Sequence, residues 1–148
     1  MKKFIINSEM FNKEQIDKIY DDCLGFHIDA LYGWGNDFFS KKLKRKLTYN
    51  EEAEIFLALL KRFIDDGIIL VCCPVSDEPE KEIEGIKFWD TTSDNIINYI
   101  RSIFPKNLIH LSGTEGTDDE FIYFWYQHCP EIGWINKETG KVYKEIYE

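Results

Sequence analysis

No run in this 148-residue chain approaches the roughly 20 consecutive apolar residues of a membrane-spanning helix, so no membrane-crossing segment is expected. The opening MKKFIINSEM has two lysines, but its apolar run, Phe4 to Ile6, is far too short for an export signal, and the expected compartment is the cytoplasm. Cys23, Cys72, Cys73 and Cys129 form no CxxC pair and stay reduced there, so neither a zinc site nor a redox motif is indicated. The phosphate loops GxxxxGK and GxGxxG are missing, as is the GxSxG elbow of many hydrolases. Internal repeats and low-complexity tracts are absent. Positive charge is the scarcer sign: 18 Lys and Arg against 27 Asp and Glu leave a net charge of −9. A field of that sign repels phosphate backbones and anionic lipid, so neither direct nucleic-acid binding nor membrane binding is expected. Basic proteins are the better-matched partners, although acidity also serves solubility.

The chain has the length to bury a core without metal or disulfide staples and reads as one domain over 1–148. Asn12 with Gln15 forms a capping-box pattern, and Phe11 and Ile16 are placed for a hydrophobic staple. The helix they open has an apolar face running Ile16, Ile19, Cys23, His27, Ala30 or Leu31, and Trp34, with a bend or close packing at Gly25 and an end at Gly33 and Gly35. After the basic stretch KKLKRK, Lys41 to Lys46, Thr48 and Glu51 cap a second helix. It buries Phe56, Leu59, Leu60, Phe63 and Ile64 and stops at Gly67. Asp65 and Asp66 sit at its negative end, a placement that costs about 0.3–1 kcal/mol each.

GIILVCCP reads as a central strand ended by Pro74, and VSDEPEKEIEG as a long solvated loop. Thr92 or Ser93 caps a third helix that buries Ile96, Ile97, Ile100, Ile103 and Phe104 and stops at Pro105. NLIHLS fits a short strand. In FIYFWY, read as a strand, Phe121, Tyr123 and Trp125 share one face and Ile122, Phe124 and Tyr126 the other. IGWIN and KVYKEIY flank KETG, where Gly140 can take the positive φ of a hairpin turn. The expected fold is α+β, about three helices packed on one face of a small, mainly antiparallel sheet with a C-terminal meander.

The residues that suggest catalysis are sparse. His128 and Cys129 are neighbours, but on a strand they face opposite ways, and a pairing with His27 or His110 needs the fold to bring them together. Asp118, Asp119 and Glu120 lack the glycine and terminal Glu of a calcium loop. No metal or cofactor is expected, and an enzyme is poorly supported; a small hydrolase or metal-dependent enzyme using His128, Cys129 or the acids at 118–120 stays as the alternative. A homo-oligomeric structural protein is another. The leading reading is a binding surface: Asp65 and Asp66, then Asp77, Glu78 and Glu80, then Glu115, Asp118, Asp119 and Glu120 steer a basic partner, with Tyr123 and Trp125 as anchors.

Taken in order, QIDKIYDDCLGFHIDALYGWG, LLKRFIDDGIILV, IRSIFP and FWYQHCPEIGWI followed by TGKVY resemble a family of small bacterial proteins, domain of unknown function 596, over roughly 16–143. Segment 74–90 is the least family-like. The family looks like the immunity proteins encoded beside contact-dependent growth inhibition and related polymorphic toxins. The resemblance implies a protein that binds the C-terminal domain of a cognate toxin, often a nuclease, and blocks its active site or substrate surface; taken with the acidity of the chain, the expected partner is a basic nuclease domain. The resemblance carries no catalytic residues.

Overall fold

The computed structural model describes residues 4–105 and 119–143, and its helices begin where side chains satisfy free backbone amides. Asn12 and Gln15 close a capping box at the start of α1 (Lys13–Cys23). Gly25, at φ 85°, then turns the chain, so the single first helix expected from the sequence is two. The second, α2 (Asp29–Leu43), runs through Gly33 and Gly35 instead of stopping there. Gly35 is buried, and a Cβ on it would lie 3.3 Å from Ile55 Cγ2 and 3.4 Å from Leu59 Cδ2. Its role is close approach between helices, not termination.

Thr48 and Glu51 close the second capping box at the start of α3 (Tyr49–Asp65). Every residue from Ile55 to Leu60 is buried, the signature of a helix covered on all sides. Its neighbours are α2, the 3-10 turn Ser8–Met10, strand β1 (Ile69–Val71) and α4 (Ser93–Ile103). Gly67, at φ 75°, ends α3 in a Schellman motif: Ile68 N–H donates to Phe63 O at 2.9 Å and Gly67 N–H to Ile64 O at 3.0 Å. Thr92 caps α4, which buries Ile96, Ile97 and Ile100, with Phe104 buried just beyond it. The Tyr49 hydroxyl donates to Pro105 O at 2.6 Å, tying the start of α3 to the end of α4.

β1 pairs with β4 (Ile132–Ile135), which pairs with β5 (Val142–Tyr143), all antiparallel, with Ile69 opposite Trp134 and Trp134 opposite Tyr143. Among the described residues β4 is therefore the central strand, and β1, expected in the centre, pairs on one side only. The apolar run of β1 accords with its burial beneath α3. Gly140, at φ 73°, serves the β4–β5 turn as expected, and Asn136 Oδ1 accepts from the Glu138 and Thr139 amides.

Two further expectations fail. Residues read as a solvated loop form a hairpin, β2 (Glu80–Ile83) and β3 (Ile86–Trp89), joined by Glu84 at φ 53° and Gly85 at φ 80°. Two consecutive positive-φ residues give the twist that a two-residue hairpin loop needs. FIYFWY is not a strand: α5 (Asp119–Tyr123) passes into a π-helical turn, Phe124–His128, closed by Cys129 N–H to Phe124 O at 2.8 Å. Burial at Phe124 and Trp125, with Phe121 half-buried, follows a helical spacing. The C-terminal meander thus reduces to β4–β5, completed by β1 from the middle of the chain. NLIHLS lies outside the described residues. Among the described residues the architecture is α+β, five α-helices and two small antiparallel sheets. None of these helices is long and apolar enough to cross a membrane.

Candidate functional site

The hairpin is fixed to the body by its second strand. Phe88 is fully buried, and its ring lies against Gly133 of β4 so closely that a Cβ there would stand 2.9 Å from Phe88 Cζ. Trp89 is buried, edge-on to Tyr99 of α4 at 5.6 Å, and its Nε1 donates to Glu78 Oε1 at 3.4 Å. At the tip, Glu84 Oε2 accepts from Val142 N–H at 3.0 Å. On this frame Asp77, Glu78, Glu80, Glu82, Glu84 and Asp90 are all exposed; against Lys81 and Lys87 they leave segment 77–90 with a formal charge of −4. Carboxylates on an ordered hairpin present their charge with little of the ordering cost that a flexible loop would incur on binding. Asp77 holds a left-handed φ of 68° just before the strands.

The other expected acids differ in setting. Asp66 is paired with Arg62 Nε at 3.0 Å, and Asp65 accepts from Ser93 Oγ at 2.6 Å and pairs with Lys61 at 3.1 Å. Burial alone would raise the Asp65 carboxyl, but Ser93 and Lys61 outweigh it and hold it below the usual range. These two aspartates join α3 to its own last turn and to α4, which accounts for their placement at a negative helix end. Glu115 and Asp118 lie outside the described residues. Asp119 and Glu120 are the first two residues of α5.

The aromatic pair is divided. Trp125 is 4% exposed, edge-on to Phe56, Tyr32, Phe121 and Phe104, so it is a core residue and not a surface anchor. Tyr123 is 56% exposed. Tyr126, unremarked in the sequence reading beyond its place on a strand face, is 55% exposed and stacks on the buried His27 ring at 4.6 Å. His27 Nδ1 lies 3.1 Å from Asp29 Oδ1, and the Tyr126 hydroxyl is 3.5 Å from Asp29 Oδ2. Glu82 and Glu84 belong to the acidic stretch that the sequence marked, though not as members of a hairpin, and the exposed Asp90 just after β3 was missed. The signal that could have found the hairpin is Glu84-Gly85 between two short strands, weaker than an Asn-Gly turn.

His128 and Cys129 do not form a pair: His128 is exposed, edge-on to Tyr123 at 5.0 Å, while Cys129 is buried. Burial, with the Asp29 charge adding to it, pushes the Cys129 thiol up, and burial beside Asp22 pushes Cys23 up to about 11. Such thiols hold little thiolate at neutral pH. Two open clefts, about 510 and 390 Å³, lie along α1, one against the β4–β5 turn and one against Trp34 and Phe38. Neither is lined by a histidine or a cysteine. Among the described residues no group of three His, Cys, Asp or Glu side chains is placed to hold a metal ion.

The fold and this surface define an α+β protein with an acidic hairpin and an exposed tyrosine corner. A similar fold occurs in an uncharacterised protein conserved in bacteria, from Neisseria meningitidis, with a TM-score of 0.59, 15% sequence identity, and coverage of 88% of this chain and 87% of that one. No family model and no curated protein matches the chain.

Proposed function

We propose that the protein is a cytoplasmic immunity protein that captures and neutralises the C-terminal domain of a cognate toxin, a basic nuclease domain of a contact-dependent growth inhibition system. The observation that carries this reading is the anchored β2–β3 hairpin, which together with the residues flanking it exposes six carboxylates over 77–90. A nuclease surface is built to attract a polyanion, and a fixed carboxylate array on a chain of net charge −9 competes for that surface and steers the encounter. The resemblance to immunity proteins set out above points the same way.

The test is calorimetric titration with the toxin domain encoded immediately upstream, at two salt concentrations. The wild-type protein is expected to bind tightly and more weakly as salt rises. Neutralising Asp77, Glu80 and Glu82 together (Asp77→Asn, Glu80→Gln, Glu82→Gln) should weaken capture at least about tenfold, mainly through slower association, with an unchanged melting curve. Affinity that ignores both salt and the triple variant would remove the hairpin from the interface.

A further inference from the structure

Among the described residues β2 pairs with β3 on one side and with no strand on the other. The register fixes which of its backbone groups face outward. Asp90 N–H donates to Pro79 O at 2.9 Å, which makes Pro79 and Asp90 a pair of the hydrogen-bonded kind. Such pairs alternate along an antiparallel ladder, so Lys81 with Phe88 and Ile83 with Ile86 are of the same kind. Glu80, opposite Trp89, and Glu82, opposite Lys87, fall between them and turn their N–H and C=O groups away from β3. Glu80, Lys81 and Glu82 are all exposed.

An ordered edge with two outward donors and two outward acceptors is a template for a further strand. The side chains decide which strand fits. Glu80 and Glu82 stand on one face of the hairpin, about 7 Å apart along the chain, and Lys81 stands on the other. A second copy of β2 fits poorly: only Glu80 and Glu82 offer outward groups, so antiparallel pairing of two copies sets glutamate directly opposite glutamate, and like charges so placed are destabilising. A segment with lysine or arginine at two alternate positions fits well, because each cation then meets a glutamate across the ladder. The formal charge of −4 over 77–90 favours the same occupant.

We propose that β2 is a docking edge and that the captured domain adds an extended segment to it, antiparallel, with Lys or Arg opposite Glu80 and Glu82. The proposal rests on the reading of the protein as a toxin-capturing inhibitor and names how the hairpin holds its partner. Main-chain hydrogen bonds supply affinity, and the two glutamates select a basic strand. Buried Phe88 and Trp89 fix β3 to the body, so the edge is in place before the partner arrives and little ordering cost falls on binding.

The experiment follows amide hydrogen exchange of the isotope-labelled protein by NMR: alone, with the upstream-encoded toxin domain, and with a short synthetic peptide alternating lysine and threonine. In the free protein the Glu80 and Glu82 amides are expected to exchange fast, and the Lys81 amide, bonded to β3, more slowly. On binding the toxin domain, Glu80 and Glu82 should slow at least about tenfold. Two variants test the same bonds by affinity. Glu82→Pro removes an outward N–H and leaves the bonds to β3 intact, while Glu82→Gln removes only the charge. With matching melting curves, the proline variant is expected to bind at least about tenfold more weakly than the glutamine variant. Tight toxin binding with Glu80 and Glu82 still at their free rates, or equal affinity in the two variants, would overturn strand addition and leave the capture reading standing. Slow exchange of these amides in the protein alone, with a dimer mass by light scattering, would put a second copy on the edge and overturn the basic occupant. If the toxin domain does not bind, the capture reading falls and the peptide decides the edge: slowed Glu80 and Glu82 amides at millimolar peptide would retain it, and unchanged rates would remove it.

Discussion

Gly133→Ala isolates the contact that holds the acidic hairpin to the sheet. Gly133 is buried in the central strand and is not among the positive-φ glycines, so its backbone suits alanine; what it lacks is space. The new methyl would stand 2.9 Å from Phe88 Cζ, 3.0 Å from Phe88 Cε1 and 3.1 Å from Val142 Cγ1. Phe88 is fully buried, so its ring cannot swing clear without moving β3. Overpacking of this kind costs about 1–3 kcal/mol. Removing a glycine from the unfolded chain returns about 0.4–1 kcal/mol, leaving a net loss of about 1–2 kcal/mol. For a chain of this size that is a fall in Tm of about 2–8 °C. Thermal and urea unfolding of Gly133→Ala, Phe88→Leu and the double variant would measure it. The smaller residue at 88 should make room for the methyl, so the double variant is expected to lose less than the sum of the singles by at least about 0.5 kcal/mol. Wild-type stability in Gly133→Ala, or strict additivity in the pair, would refute the reasoning.

Two further outcomes follow from buried groups. Glu52 lies in the α2–α3 seam, accepting from the Tyr32 hydroxyl at 2.9 Å, and burial raises its carboxyl above the usual 4.5 despite that hydrogen bond. Its proton is favoured in the folded chain, so this contribution is full below pH 4.5 and is lost as pH rises through the folded value. Glu52→Gln removes the dependence: urea unfolding across a pH series should show the stability difference moving in the variant's favour from pH 4 to pH 8, and a constant difference would contradict it. A thiol-alkylating reagent should label the half-buried Cys72 and Cys73 first in the native protein and reach Cys23 and Cys129 only on unfolding, read by mass spectrometry. Rapid native labelling at Cys129 would return the hydrolase alternative to contention.

Local signals made the helix starts and stops legible. Asn12 with Gln15, Thr48 with Glu51, Thr92, Gly67 and Pro105 act within a few residues of themselves, and the structure uses each as the sequence suggests. FIYFWY was not legible because six apolar residues in a row contain no polar position to reveal a period of 2 or 3.6. Only the surrounding core, which takes Phe124 and Trp125 together, decides it. The hairpin was hidden for the opposite reason: Glu80, Lys81 and Glu82 are all exposed, so β2 shows no apolar alternation. Gly35 looks like a stop because a glycine needed for helix contact reads the same as one that ends a helix, while Gly33 faces open space inside α2. As for the candidate site, acidity was enough to expect Asp77, Glu78 and Glu80 at the surface, where they lie, but which tyrosine faces outward depends on the π-helical turn.

The carboxylate of Glu84 also bears on how the sheet meets other chains. By accepting from Val142 N–H it occupies an amide of β5, the edge strand of this sheet among the described residues, where a neighbouring chain would begin to add itself. The hairpin that carries the charge is thus also a guard for a sheet edge. A variant that strips acidity from its tip would uncover that amide and remove charge repulsion between copies at once, favouring edge-to-edge aggregation.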